Sequence, residues 1–179
     1  MVLIPLLIST ALAGVPQQTE AMLIRLESLR VGATELAPFV ADESPDVRAR
    51  AAVSLGRIRQ ADTLDGLRAL LSDPVEHVRE AAAFGLSQIP GSRMTLRSRL
   101  SIEPSSRVRA KILFAIGIQG NAWDIDTLVD LIGQPVGHTV SEAEVAAAAN
   151  ALGQMAVRGI STVRIDRVVR ALSQQTRRF

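Results

Sequence analysis

The 179-residue chain has no cysteine, which removes disulfides, thiolate metal sites and a cysteine nucleophile. That absence suits an oxidising and a reducing compartment alike. Tyrosine is also missing and Trp123 is the only tryptophan, so there are few rings on which bases could stack. Histidine occurs twice, at His77 and His138, in separate turn regions. His77 lies four residues after Asp73 and His138 four before Glu142, but both spacings cross a turn, so neither is the i, i+4 pair that a helical metal site places on one helix face. No motif pairs a histidine with a serine or an aspartate, so a hydrolase lacks its base. The glycines sit singly at helix ends, and neither a P-loop nor a dinucleotide fingerprint occurs. Lys111 is the only lysine, and the formal net charge is only +2. Global charge therefore does not argue for nucleic acid. These absences predict a protein without catalytic residues, metal or cofactor.

Hydrophobic residues, at 47%, are ample for one substantial core. The chain begins with an uncharged apolar run, MVLIPLLISTALAG, which closes on the small-x-small pattern Ala11-Leu12-Ala13. It is shorter than the roughly 20 residues that a membrane span needs. Residues 1–13 read as a bacterial secretory signal, which would make the protein periplasmic or extracellular. Its lack of Lys or Arg leaves a second reading, a buried first element of a cytoplasmic protein.

Beyond the run, one sentence is written several times. PDVRARAAVSLGRI, beginning at Pro45, returns as VEHVREAAAFGLSQI from Val75 and as RVRAKILFAIG from Arg107. Aligned on Val47, Val78 and Val108, each copy carries an apolar stripe of helical period: Val47, Ala51, Leu55, Ile58; Val78, Ala82, Gly85, Leu86, Ile89; Val108, Ile112, Ile116. A second stripe precedes each: Leu36, Phe39, Val40; Leu64, Leu67, Leu70, Leu71; Leu96, Leu100. Pro45, Pro74 and Pro104 break the chain between the two stripes, so each copy is a helical hairpin. A fourth, degenerate copy pairs Ile125, Leu128, Leu131 and Ile132 with Ala148, Ala151, Leu152 and Met155. Its turn is longer, and Ser141-x-x-Glu144 supplies a capping box to restart the helix.

The period, the turn proline, the Val-Arg pair and the A-x-x-L-G-type ending together resemble HEAT repeats, in particular the short type named after phycobilisome lyases. The resemblance implies an all-α, right-handed α-solenoid of about four hairpins with terminal capping helices. Its parts are an N-terminal cap at 14–33, repeats at 34–62, 63–92, 93–122 and 123–161, and a basic helix at 162–179 that is a cap or a partial fifth repeat. It also implies a ladder of charge-assisted hydrogen bonds between hairpins, carried by acid–arginine pairs six residues apart: Asp42 and Arg48, Asp73 and Arg79, Glu103 and Arg109. Gln134 and Val145 occupy these places in repeat four, whose docking is expected to rest on apolar packing alone. Relatives of similar repeat shape that hydroxylate a modified lysine hold two irons with His-Glu pairs, against which Glu76-His77 is a single reversed pair.

In a helical solenoid the second helices stack along one face, commonly the concave one, and their non-core side projects from it. Here that side holds Ala52, Gly56, Glu80, Ala83, Ser87 and Leu113, flanked by Arg57 and Gln88, a smooth floor for a partner. The competing reading of the same small residues, and the preferred one, is that they merely let adjacent second helices pack tightly. Val53, Phe84 and Phe114 form an aligned apolar row, expected to be inter-repeat core in preference to an exposed anchor stripe. The long turn of repeat four, Gly137, His138 and Thr139, is a further candidate contact. Residues 93–122 hold six basic side chains against Glu103, which keeps a nucleic-acid surface as a minor alternative. The resulting expectation is a scaffold for a protein or peptide partner, or else an accessory factor to a lyase-type enzyme acting on a protein-bound cofactor.

Overall fold

The computed structural model describes residues 14–137, 140–160 and 173. The proposed leader at 1–13, His138, Thr139 and the expected C-terminal helix, with its stripe of Ile165, Val168, Val169 and Leu172, lie outside the described residues.

Nine α-helices follow one another among the described residues: α1 Gln17–Leu29, α2 Ala33–Val40, α3 Pro45–Ile58, α4 Leu64–Leu70, α5 Glu76–Ser87, α6 Arg93–Leu100, α7 Ser106–Gln119, α8 Ile125–Ile132 and α9 Glu142–Val157. Short 3-10 turns at Ala61–Thr63 and Ala122–Asp124 lead into α4 and α8. The helices form two layers. The short ones, α2, α4, α6 and α8, are the first helices of four hairpins, and the longer α3, α5, α7 and α9 are the second helices, packed side by side in order. This is an α-solenoid. The expected capping helix, α1, joins the second-helix layer by packing on α3.

Each boundary has a local cause. Pro45 opens α3 at its first turn, where a missing N–H costs nothing. The Ser105 hydroxyl accepts the N–H of Val108 to cap α7. The expected capping box starts α9: Ser141 accepts the N–H of Glu144, and the Glu144 carboxylate accepts that of Ser141. At the other end of α9 the N–H of Ile160 reaches the carbonyl of Met155 and that of Gly159 reaches Ala156, with Gly159 at φ +73°. This is a Schellman closure that turns the chain back.

The stripes read from the sequence are buried. Val47, Ala51, Leu55 and Ile58 of α3, Val78, Ala82, Leu86 and Ile89 of the second hairpin, and Val108, Ile112 and Ile116 of α7 are all at most 2% exposed. All of these except Val47 and Ala51 join Leu36, Leu67, Leu96 and Leu128 from the first helices in one continuous core from Leu23 to Met155. Burying a Leu or Ile side chain is worth about 1.5–3 kcal/mol, and because each hairpin completes its core only against its neighbours, the stack is stabilised as a whole.

Candidate functional site

A single geometry is repeated along the turn edge of the second helices. The Arg48 guanidinium donates from Nη1 to the carbonyls of Asp42 and Glu43, and from Nε and Nη2 to both oxygens of Asp73, at 2.7 and 3.1 Å. Arg79 repeats this, with Nη1 on the carbonyls of Asp73 and Pro74 and the fork on Glu103 at 2.9–3.3 Å. Arg109 holds the carbonyls of Glu103 and Pro104 and forks onto Glu144. The ladder therefore exists, but each arginine clasps the carboxylate of the next hairpin and touches its own hairpin through the backbone. Each acid also accepts a nearby N–H: Asp73 from Val75, Glu103 from Ser105, Glu144 from Ser141. Asp42 accepts the N–H of Ser44 in the same way, while its carboxylate forms no ion pair among the described residues.

The expectation that repeat four docks by apolar packing alone is overturned by Glu144. The longer turn moves the acid from the turn into the first turn of α9, where it serves the capping box and the ladder at once. Burial alone would raise the pKa of Asp73, Glu103 and Glu144. Hydrogen bonds from the arginines and from backbone N–H groups outweigh it and hold all three below the usual carboxylate range.

The proposed smooth floor takes a different place from the one expected. Ala52, Ala83 and Leu113 have no exposed surface, and Gly56 and Ser87 are also buried, because these positions face the next second helix. A Cβ on Gly56 would stand 2.5 Å from the Gly85 Cα, and one on Gly117 2.7 Å from the Ala151 Cα. The small residues let adjacent helices touch backbone to backbone, and they are not available to a partner. Arg57 is exposed, Glu80 and Gln88 are half-buried, and Gly137 is exposed at the long turn.

What does face outward is the row expected to be core. Val53, Phe84 and Phe114 are partly exposed and stand outside the buried cluster, and Ile118, which was not part of the expected row, extends it along α7. The helical wheel accounts for this. Six residues beyond each repeat's valine is a rotation of about 240°, well outside the roughly 100° sector that the stripes occupy. Beside this row lies a groove of 390 Å³ lined by Glu80, Arg107, Ala110, Lys111, Phe114 and the start of α9 at Ser141 and Ala143. Glu80 pairs with Arg107 at 2.6 Å and with Lys111 at 3.7 Å, and the Lys111 ammonium lies 5.9 Å from the centre of the Phe114 ring. The sequence places Phe114 in the core and names Glu80 as a candidate contact and Arg107 and Lys111 within the basic run, without bringing them together as one groove. The signal that could have found it is the same wheel angle.

The basic run loses its free cations. Arg93 and Arg97 face Asp124, Arg99 and Arg79 share Glu103, Arg107 and Lys111 meet at Glu80, and Arg109 holds Glu144. His77 is exposed and sits 3.2 Å from Asp46. Among the described residues no cluster of metal-ligating side chains forms, and no helix is long and apolar enough to cross a membrane.

Comparison with known proteins agrees with this geometry. A family model described as HEAT repeats matches residues 33–95, from α2 into α6. No curated protein matches the chain.

Proposed function

From the premise that this chain is a HEAT-repeat protein, we propose that it is a non-catalytic scaffold which binds a protein or peptide along the outward side of its second helices. The observation that carries the reading is the row Val53, Phe84, Phe114 and Ile118, which presents apolar side chains from three successive helices beside the charged groove at Glu80, Arg107 and Lys111. Aromatic anchors beside paired charges are the composition of a protein-binding surface, where the rings carry affinity and the charges set register. The long turn of repeat four reaches this groove through Ser141, and the contacts expected from that turn, Gly137, His138 and Thr139, are kept as part of the proposal, with His138 and Thr139 outside the described residues. The proposed leader at 1–13 would place the partner outside the bacterial cytoplasm, with the mature chain beginning at or near Gly14.

The test compares partners captured by the unmodified chain and by a Phe84→Ser/Phe114→Ser variant, with thermal melting of both. The reading expects specific partners to be lost at nearly unchanged melting. An identical set of captured proteins would remove this face from the binding surface. A chromophore-bearing protein among the partners would move the function toward an accessory role for a lyase-type enzyme.

A further inference from the structure

The contact between α1 and α3 differs from the close backbone contacts that join α3 to α5 and α7 to α9. The pair α3 and α5 meets through Gly56 and Gly85, and α7 and α9 through Gly117 and Ala151. Between α1 and α3 stands a charged cluster. Arg50 of α3 donates from Nε to both oxygens of Glu20 at 2.8 Å and from Nη1 to Glu27 and to Ser54. The Ser54 hydroxyl donates to Glu27, and Arg57 reaches the second Glu27 oxygen at 3.2 Å.

Apolar support is thin by comparison. Leu23 is the only fully buried residue of α1, and Met22, Ile24 and Leu29 are 48%, 52% and 62% exposed. The helix has no side-chain N-cap and no basic residue in its last turn. It ends in a Schellman closure with Arg30 in the left-handed region at φ 48°, a conformation that disfavours any side chain. Hydrogen bonds between charged groups are the strong part of this contact, and they can be exchanged for others of the same geometry.

We infer that α1 is a displaceable cap, and that the face it covers on α3, with Arg50, Ser54 and Arg57, is a docking site for an acidic amphipathic helix carrying two carboxylates seven residues apart around a leucine. The chain itself supplies the template for that occupant in Glu20, Leu23 and Glu27. A partner helix of this pattern would replace α1 without disturbing the core of the hairpins, because the leading side of α3 is polar where those of α5 and α9 are closed by small residues. On α3 this surface adjoins the outward row at Val53, but its evidence is the charged contact with α1 and stands whether or not that row binds a partner.

Two measurements on the full chain test it. The first is amide hydrogen exchange of the unmodified chain and of a Glu20→Gln/Glu27→Gln variant. Exchange across Gln17–Leu29 is expected to accelerate at least tenfold in the variant, with α5, α7 and α9 unchanged. The second is binding of a fluorescent peptide of sequence Gln17–Leu29. It should bind the variant at least tenfold more tightly than the unmodified chain, and should lose that binding when Arg50→Ala is added. If α1 and α3 lose protection together in every variant, α1 is an integral part of the fold and the inference fails. Failure of the peptide to bind a variant whose α1 exchanges freely would equally overturn it.

Discussion

Arginine side chains carry most of the specific polar contacts in this fold, and Arg79 shows why lysine would not serve. Its planar fork holds two carbonyls of its own turn and both oxygens of Glu103 at once, with Arg79 7% and Glu103 3% exposed. Arg79→Ala leaves a buried carboxylate with only Arg99 and the Ser105 N–H, and strands two turn carbonyls. The expected loss is on the order of 3 kcal/mol, because removing one partner of a buried pair costs more than the pair's net worth. Arg68→Ala is the control. Arg68 is half exposed and bonds Asp65 and Thr95 at the surface, which is worth less than about 1 kcal/mol. Urea midpoints of the two variants should separate clearly, and equal shifts would mean that the ladder does not hold the hairpins together. At this scale the arginines and two of the three ladder acids, Asp73 and Glu103, were legible from their recurrence, while Asp42, expected with them, forms no ion pair among the described residues. The direction of the clasp was not, since spacing along the chain cannot say whether an arginine turns to its own hairpin or to the next. Glu144 escaped for a related reason: the search for an acid at a fixed place missed one that the longer turn had carried into a helix, although its capping box was plain in the sequence.

Helices show the same division between what period reveals and what neighbours decide. The buried stripes followed from the 3.6-residue period, and the hairpins followed from the prolines, since both are local. On the second helices the small residues go into the helix contacts, the packing reading that stands beside the open floor, whereas the phenylalanines, expected in the core, go to the surface. Small side chains carry little hydrophobic signal, so only the distance between packed backbones distinguishes an open floor from a tight seam. That distance makes a sharp prediction about glycine. In α3, Gly56→Ala puts a methyl group 2.5 Å from a backbone carbon of α5 that cannot swing aside, and should destabilise by about 1–3 kcal/mol. In α9, Gly153 occupies the matching register nine residues after Glu144, and among the described residues a Cβ there meets nothing within 4 Å. Gly153→Ala should therefore stabilise by roughly 0.5–1 kcal/mol, the ordinary gain of alanine over glycine within a helix. Opposite signs in thermal melting are expected, and destabilisation by both would show that the forward side of α9 is as crowded as that of α3.

At the scale of the whole molecule, the ladder ties the stability of the stack to pH. Asp73, Glu103 and Glu144 each join one hairpin to the one before it, and Glu27 joins α1 to α3. Burial opposes ionisation of Glu27, but hydrogen bonds from Arg50, Ser54 and Arg57 prevail, so all four carboxylates ionise more readily in the folded chain than in the unfolded one. The sign follows directly. Near the ordinary carboxylate values, 3.8 for aspartate and 4.5 for glutamate, the unfolded chain binds more protons, so stability falls as pH falls. The contribution is fully present above those values and is lost as pH drops through the lower values of the folded state. Because no hairpin buries its core alone, these losses should reach one cooperative transition and should not melt repeats one by one. The urea midpoint is thus expected to hold steady from about pH 8 to pH 6 and to decline below about pH 4.5. Glu103→Gln should lower the midpoint at neutral pH and flatten the acid decline, because one of the groups that takes up protons on unfolding is gone. A midpoint unchanged down to about pH 3 would mean that the arginine clasps add nothing to the folded state beyond what water offers the same groups in the unfolded chain.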